Sequence, residues 1–332
     1  MLPVAVDIMG GDNAPGVVLE GISSLLAAER IPLIVVGTEA AFSKMEKFED
    51  VEKVVATEVI EMDDDPASAP RRKRDASMVV VAKLVKEHRA SAGVTLGNSG
   101  AAMATALLKI GRIKGIARPA IAVEIPVPGS LPTVLLDAGA NSEVTAAWLH
   151  QFAMMGSVYA TARLGIEAPR VGLLTIGEEA GKGNSLVKEA FDLLSGEPQI
   201  NFIGNVEGRD VMSSRVDVVV TDGFTGNVVL KTLEGAASLF AHAVLDALSS
   251  GEDGKEVLDV ALPRLLPLWN ELTPDATGAA ALLGIDGLYL IGHGSSSPLA
   301  VANAIRNAKK LGEGDVVSTI RRIEASWEAR GG

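Results

Sequence analysis

Three polar side chains stand at glycine-rich turns, where they can approach an anionic or carbonyl ligand. Lys182 is flanked by glycine on both sides, which suits an ammonium group that contacts a ligand and equally an exposed loop lysine. His293 also lies between glycines. Its side chain can act as an acid–base group, donate a hydrogen bond to an anion, or simply pack in the turn. Asn227 follows a glycine, and its amide suits a helix cap better than a substrate contact, although one role does not exclude the other.

These residues belong to a set of five glycine-rich turns, four of which we expect to run directly into a helix. Backbone N–H groups and the positive end of the helix dipole then converge on one point, which favours a phosphate-like anion. None of the turns matches a Walker loop or a G-x-G-x-x-G nucleotide motif. The candidate ligand contacts in the turns are Gly10, Gly11, Asp12, Asn13, Asn98, Ser99, Gly100, Lys182, Gly183, Asn184, Asp222, Thr225, Gly226, Asn227, His293, Gly294, Ser295 and Ser296.

Apolar β-branched runs alternate with helical patterns along the whole chain, which is typical of a mostly parallel sheet covered on both faces. We therefore predict a three-layer α/β/α sandwich, organised as a single two-lobed domain over residues 1–332. The predicted strands are Val4–Ile8, Leu33–Val36, Val54–Ile60, Gly93–Leu96, Ala120–Ile125, Thr133–Leu136, Val171–Ile176, Asn201–Ile203, Val216–Val220 and Leu288–Ile291. The clearest helical patterns are Ser142–Leu164, Asn184–Leu194 and Thr225–Leu248.

Composition excludes several classes of protein and site. The chain has no cysteine, so disulfides, thiol nucleophiles and Cys-ligated metals are absent, and we expect a cytoplasmic protein without a metal site. Its formal charge of −12 argues against nucleic acid as a partner. It shows no signal-peptide pattern and no run of about 18 uninterrupted apolar residues, so we expect peripheral rather than spanning contact with any membrane.

Six long stretches carry a family resemblance that spans nearly the whole chain in order. The sequence is similar to the bacterial phosphate acyltransferases of phospholipid synthesis, with small departures such as Ala180, where the family usually has an acidic residue. The stretches are VDIMGGDNAPG (Val6–Gly16), QFAMMGSVYA (Gln151–Ala160), GEEAGKGNSLVKEA (Gly177–Ala190), FIGNVEGRD (Phe202–Asp210), TDGFTGNVVLKTLEG (Thr221–Gly235) and LLGIDGLYLIGHGSS (Leu282–Ser296).

The resemblance implies transfer of a fatty acyl group from acyl carrier protein to inorganic phosphate, giving acyl-phosphate for a downstream glycerol-3-phosphate acyltransferase. It implies a homodimer with a fold like isocitrate and isopropylmalate dehydrogenases and phosphotransacetylases, no metal or organic cofactor, and work at the inner face of the cell membrane. It also implies that Lys182 and Asn227 act in catalysis and that the turns at Gly10–Asn13, Asn98–Gly100 and His293–Ser296 line the same cleft.

Direct attack by phosphate on the thioester needs positioning and a stabilised oxyanion, which Lys182 and a backbone or Asn227 donor can supply. Either His293 or Asp222 can manage the proton on phosphate. A covalent acyl-enzyme is disfavoured, because there is no cysteine and no G-x-S-x-G elbow.

Two basic sets are candidates for docking an acidic carrier protein, or are ordinary solvated surface. One is the run Arg71, Arg72, Lys73 and Arg74, which we take as the carrier site; the other is Lys109, Arg112, Lys114 and Arg118.

The segment 250–275 is a separate excursion that contacts either a second subunit or the membrane. Leu265, Leu266 and Trp269 give it the character of an interfacial anchor, and Pro263 and Pro267 are expected to limit a regular helix there.

Three alternatives have distinct signatures. A short-chain phosphate acyltransferase would use free acyl-coenzyme A, and a decarboxylating dehydrogenase would need paired metal-binding aspartates and a nicotinamide. A non-catalytic phosphate-binding protein would bind phosphate and release no thiol.

Overall fold

The computed structural model describes residues 2–43, 51–251 and 253–329. The strands are β1 (Val4–Asp7), β2 (Leu33–Gly37), β3 (Val51–Val55), β4 (Ala92–Thr95), β5 (Ala120–Ile125), β6 (Thr133–Leu136), β7 (Arg170–Leu174), β8 (Asn201–Val206), β9 (Val218–Val220), β10 (Ala280–Leu283) and β11 (Tyr289–Ile291). The helices are α1 (Gly16–Ala28), α2 (Glu39–Phe42), α3 (Ala69–Arg72), α4 (Ser77–Lys86), α5 (Ser99–Lys109), α6 (Ala146–Leu164), α7 (Ser185–Ser195), α8 (Gly223–Ser249), α9 (Gly254–Leu272), α10 (Pro298–Glu313) and α11 (Val316–Ala329), with 3₁₀ turns at Gly208–Met212 and Pro274–Ala276.

The described strands form one 11-stranded sheet in the order β3-β2-β1-β4-β11-β10-β5-β6-β9-β7-β8. The β10–β11, β10–β5 and β5–β6 pairs are antiparallel and the other pairs are parallel. The predicted mostly parallel sheet is therefore confirmed. Because these three successive pairs are antiparallel, the parallel group β3-β2-β1-β4-β11 runs opposite to the parallel group β6-β9-β7-β8.

Helices cover both faces of the sheet, which confirms the three-layer sandwich. On one face a continuous core joins alternate strand residues to the apolar sides of α1, α6, α7, α10 and α11. On the other face a second cluster lies under α4 and α5, and a third packs against Val229, Leu230 and Leu233 of α8. Strands buried on both sides explain why their sequences are nearly continuous apolar runs.

The sequence placed some elements wrongly. It predicted a strand at Val54–Ile60, whereas β3 ends at Val55, and it missed β10 altogether. It began the long central helix at Ser142, but α6 starts at Ala146, where the Thr145 side chain accepts a hydrogen bond from Trp148 N and caps the helix. The β10 segment, Ala-Ala-Leu-Leu, lacks the β-branched residues that mark a strand in sequence.

Helices α8 and α9 pack against each other as a hairpin that extends from the sandwich. Within the described residues, α8 buries Gly223 and Gly226 and α9 buries Gly254, while every other side chain of the pair is at least partly exposed. The segment predicted as an excursion over 250–275 is thus mostly helix, and its residue Glu252 lies outside the described residues. The expectation that Pro263 and Pro267 would limit a regular helix was wrong, since α9 continues through both. Carbonyl groups left free by proline can bind water on such an exposed helix.

By length and composition alone, α8 is also long and apolar enough to cross a membrane, with a mean hydropathy of 1.4 in its most apolar window. We expected no such helix, because the sequence has no long uninterrupted apolar run. The mean hydropathy of this window is high because the charged residues of α8, including Lys231 and Glu234, are few and scattered.

Candidate active site

All five predicted turns follow a strand and lead to a helix. Four do so directly, ahead of α5, α7, α8 and α10, and Gly10–Asn13 reaches α1 through Ala14 and Pro15. Together with the loop at residues 137–141, which follows β6, the five turns form two sets. The first turn group comprises residues 9–13, 97–100 and 292–296, after the neighbouring strands β1, β4 and β11. The second turn group comprises residues 137–141, 177–184 and 222–227, after β6, β7 and β9.

The buried carboxylate of Asp7 joins two turns of the first turn group. It accepts a hydrogen bond from Met9 N at 2.9 Å and one from Thr95 Oγ1 at 2.7 Å. Thr95 Oγ1 in turn accepts from Gly97 N at 3.2 Å. Burial raises the pKa of Asp7, and its hydrogen bonds with Ser77, Thr95 and the backbone oppose that rise.

Close backbone contacts hold the first turn group together. Asp12 N donates to Gly294 O at 2.8 Å, which joins the turn after β1 to the turn after β11. A Cβ atom at Gly10 would lie 2.6 Å from Gly97 N, so the turns after β1 and β4 approach as only glycine permits. The structure therefore brings Gly10–Asn13, Asn98–Gly100 and His293–Ser296 together as one surface.

Asn98 connects this surface to the preceding loop. Its Oδ1 accepts from Ala101 N at 3.0 Å and caps α5, while its Nδ2 donates to Met62 O at 3.0 Å and to Asp64 O at 3.1 Å. Because both ends of the amide are engaged, the side chain of Asn98 positions the loop and the helix. The ligand contacts available at this turn are the backbone N–H groups of the first turn of α5.

His293 presents one ring nitrogen outward. Its Nδ1 accepts from Ser295 N at 3.3 Å and lies 2.8 Å from Ser295 Oγ. In the neutral ring this places the proton on Nε2, so exposed His293 is arranged to donate a hydrogen bond from that atom.

The second turn group is organised by Asp137, a residue that the sequence analysis did not single out. Its carboxylate is fully buried and accepts five hydrogen bonds. The donors are Ile121 N at 3.1 Å, Gly139 N at 3.0 Å, Ala140 N at 2.9 Å, Asn141 N at 2.7 Å and Asn141 Nδ2 at 2.8 Å. The signal was an aspartate that ends an apolar strand and precedes Ala-Gly-Ala-Asn, and Asp7 gives the same signal at the end of β1.

Helix α8 begins against this loop. Asp222 caps it, with Oδ1 accepting from Thr225 N at 2.8 Å and Oδ2 from Thr225 Oγ1 at 2.7 Å. Since Thr225 occupies both of its oxygens, Asp222 is a poorer candidate than His293 for managing a phosphate proton. A Cβ atom at Gly226 would collide with the carbonyl oxygen of Asp137, and one at Gly223 would lie 2.7 Å from Asn141 O.

Asn227 lies in the second turn of α8, so its interpretation as a helix-start cap was wrong. Its side chain is exposed and lies beside Gly139, where an added Cβ atom would be 3.9 Å from Asn227 Cγ. Among the described residues its amide has no hydrogen-bond partner. That leaves it able to bind a ligand.

Lys182 is exposed on the turn after β7, and its stem lies over Gly177, where a Cβ atom would be 2.9 Å from Lys182 Cγ. In the described part of the chain no carboxylate forms an ion pair with its ammonium group. The nearby Glu178 is bound instead to Arg215 at 2.8 Å, and this hydrogen bond lowers the pKa of Glu178. Gly183 has a φ of +90°, and Asn184 caps α7 through Val187 N at 2.9 Å. The loop thus presents a free cation.

The two turn groups leave the sheet in opposite directions, from nearly the same level of β5. Ile291, at the end of β11, pairs with the first residue of β10, whereas β5 begins beside the end of β6, where Ala138 N donates to Ile121 O at 3.0 Å. No hydrogen bond between described residues joins the two groups. Lys182 and Asn227 follow the neighbouring strands β7 and β9, and the expectation that they share a cleft with the first turn group stays a prediction.

The predicted basic set at Arg71–Arg74 lies beside the first turn group, on the loop that Asn98 holds. Lys73 is engaged with Asp64 Oδ2 at 2.5 Å and Val59 O at 2.8 Å, while Arg71, Arg72 and Arg74 are exposed. In the second basic set the Arg112 guanidinium donates to Ala117 O, and Arg118 lies 5.1 Å from the Trp148 ring centroid.

A family model described as "fatty acid synthesis protein" matches residues 2–319. The chain is 43% identical over 328 residues to a phosphate acyltransferase from Exiguobacterium sp. (strain ATCC BAA-1283 / AT1b), covering 98% of this chain and 99% of that protein. It is 41% identical over 322 residues to the phosphate acyltransferase of Staphylococcus epidermidis (strain ATCC 12228 / FDA PCI 1200), covering 97% and 98%. The chain belongs to the phosphate acyltransferase family. It is an acyltransferase, as the sequence motifs predicted.

Solved structures confirm the predicted fold of this acyltransferase. A branched-chain phosphotransacylase from Enterococcus faecalis V583 superposes with a TM-score of 0.61 at 16% identity, covering 94% of this chain and 99% of that one. A 4-hydroxythreonine-4-phosphate dehydrogenase from Salmonella typhimurium superposes with a TM-score of 0.53 at 13% identity, covering 94% of this chain and 99% of that one. These likenesses show that phosphotransacylases and dehydrogenases share the architecture.

In the described ranges of this acyltransferase, no three His, Asp or Glu side chains are grouped so that they could hold a metal ion.

We predict that Gly226→Ala destabilises the acyltransferase by about 2–3 kcal/mol, because the methyl group must displace the Asp137 backbone. Turnover should fall as well, since Asn227 shifts with the helix. Gly235→Ala is the matched control on the same helix: its Cβ has open space, and it should stabilise by up to about 1 kcal/mol. Urea unfolding and steady-state turnover measure both effects. Equal stability and turnover of the two variants would show that the close approach of Gly226 to the Asp137 backbone does not constrain the helix.

Asp137→Asn should cost about 3 kcal/mol of folding stability, because the amide keeps one acceptor oxygen and turns an NH₂ group toward backbone donors. The exposed Asp192→Asn on α7 is the control and should change stability by less than about 0.5 kcal/mol. Thermal and urea unfolding report the difference, and a neutral Asp137→Asn would show that the loop does not depend on the carboxylate.

Proposed function

We propose that this acyltransferase moves a fatty acyl group from acyl carrier protein to inorganic phosphate, releasing acyl-phosphate and the carrier thiol. A phosphate oxygen attacks the thioester carbonyl carbon, and a tetrahedral oxyanion forms. The carbon–sulfur bond then breaks, and the thiolate takes the proton that phosphate gives up. The observation that carries this proposal is a free lysine and a free amide on turns after adjacent strands, in a chain of this family.

Each of these groups has a role suited to its position. The Lys182 ammonium, without an ion-pair partner among the described residues, is available to stabilise the oxyanion, and Asn227 can donate to the same oxygen through Nδ2. Backbone N–H groups at the starts of α7 and α8 are available for the phosphate oxygens, and we propose that those of α5 and α10 face them across a shared cleft. His293, with its proton on Nε2, suits an anion donor better than a base. The reaction as proposed needs no cofactor.

The acidic carrier protein and the next enzyme belong to the same proposal. Arg71, Arg72 and Arg74 are exposed at the rim of the first turn group, where they would meet an acidic carrier, and Lys73 would support them through Asp64. Acyl-phosphate is an activated acyl donor, so a second acyltransferase can consume it, and from the family we propose that this enzyme acts on glycerol-3-phosphate at the membrane.

We propose a homodimer in the cytoplasm that touches the inner face of the cell membrane, and the exposed apolar side chains of the α8–α9 hairpin support the subunit and membrane contacts. Leu239 and Phe240 on α8 are 69% and 70% exposed, which is more apolar surface than one subunit should leave uncovered. We assign this face to the second subunit. Leu266 and Trp269 on α9 are also exposed, and Leu265 lines the groove of about 670 Å³ between the two helices. We assign this end of α9 to membrane contact.

Lys182→Ala should lower phosphate-dependent thiol release from palmitoyl-acyl carrier protein by about a hundredfold or more, as loss of an oxyanion donor does. Asn227→Ala should show a smaller loss of the same kind. The exposed Lys188→Ala on α7 is the control and should retain turnover. The measurement is the rate of thiol release in the presence of EDTA, with and without phosphate. If free acyl-coenzyme A serves better than the carrier thioester, the short-chain alternative holds; if no donor releases thiol, the chain binds phosphate without catalysis.

Two double variants, each with two charge substitutions, distinguish the surfaces of the hairpin. Leu266→Glu with Trp269→Glu should abolish co-sedimentation with anionic liposomes and leave the dimer intact, since burying a carboxylate in lipid is costly. Leu239→Glu with Phe240→Glu should give monomers in size-exclusion chromatography. If instead Leu266→Glu with Trp269→Glu gave monomers and Leu239→Glu with Phe240→Glu lost liposome binding, the two assignments would be exchanged. If neither double variant differed from wild type, both assignments would be wrong.

A further inference from the structure

Three large apolar side chains are exposed in the turns that carry Lys182 and Asn227. Ile176 is 82% exposed, Phe224 is 67% exposed and Val228 is 50% exposed. Most apolar side chains at the strand ends of this sheet are buried, and exposing three together is unfavourable unless a ligand covers them.

Strand register places these side chains at one edge of the sheet. Strands β7 and β9 are neighbours, and Leu173 pairs with Val220 at their ends. Ile176 and Gly223 each lie three residues beyond that pair, so Ile176 and the start of α8 leave adjacent strands at about the same level. Phe224 and Val228 are one helical turn apart and share a face of α8.

The chemistry of an acyl donor fixes what must lie here. The alkyl chain is bonded to the reacting carbonyl carbon, so its first methylene groups lie next to whichever residues hold the carbonyl oxygen. Lys182 packs over Gly177, the residue after Ile176, and Asn227 precedes Val228. The side chains of Ile176, Phe224 and Val228 have no polar atom to offer phosphate.

We infer that Ile176, Phe224 and Val228 form the subsite for the first methylene groups of the alkyl chain of the acyl donor. The inference rests on the proposed function. The subsite buries the α-end of a linear, apolar chain against the first two turns of α8, while the phosphate contacts remain on backbone N–H groups.

The test is a chain-length profile. Each buried methylene contributes on the order of fourfold to affinity, so Phe224→Ala, alone or with Ile176→Ala, should raise KM for palmitoyl-acyl carrier protein about tenfold or more. KM for acetyl-acyl carrier protein and for phosphate should change less than about twofold, because neither has a methylene group to bury in the subsite. Leu193→Ala, a 40% exposed leucine at the far end of α7, is the control and should leave both profiles unchanged.

The outcomes separate cleanly. A higher KM for palmitoyl-acyl carrier protein alone, in a variant that remains dimeric, supports the subsite. Equal loss of kcat with both donors assigns Phe224 to positioning of Asn227 and overturns the inference, as does an unchanged profile. Dissociation into monomers assigns these side chains to the subunit contact and overturns it as well. A wild-type protein that releases thiol from neither donor refutes the proposed function itself.

Discussion

The contact between α8 and the loop after β6 sets the position of Asn227, one of the two side chains proposed for catalysis. Gly223 and Gly226 let the helix backbone approach Asn141 and Asp137 more closely than any side chain would allow. The Asp137 carboxylate fixes the other side of that contact, because five donors from the loop and from β5 converge on it. Asn227 is exposed beside Gly139 as a result of this arrangement. The cost of burying a charge is thus offset by hydrogen bonds that shape the loop.

The first turn group, on the other half of the sheet, is also organised by a buried aspartate at the end of a strand. Asp7, like Asp137, ends a buried strand and accepts a backbone N–H from its own turn. It also accepts a hydrogen bond from Thr95 on the neighbouring strand, which links the two turns. Two strand-end aspartates therefore organise the two turn groups, and the helices that follow present their free N–H groups as a consequence of where those aspartates hold the backbone.

The sequence predicted the layers and the turns because both are local. Buried strands need continuous apolar runs, and a chain that turns from strand to helix needs glycine and a cap, as at Asn98, Asn184 and Asp222. It did not predict the reversal of strand direction at β10 and β5, because pairing partners far apart in sequence decide direction. The role of Asn227 was also misread: Gly-Asn looks like a cap, whereas the cap is five residues earlier, at Asp222.

Helix α8 carries Asn227 in its second turn and Leu239 and Phe240 further along, on one uninterrupted rod of 27 residues. An insertion of a single residue between them would rotate the distal face by about 100° relative to the catalytic turn. An insertion of seven would return it to within about 20°. Such a hairpin can lengthen over evolution and keep both its ends in phase when the insertion is close to a whole number of helical turns, for example about 7 or about 11 residues.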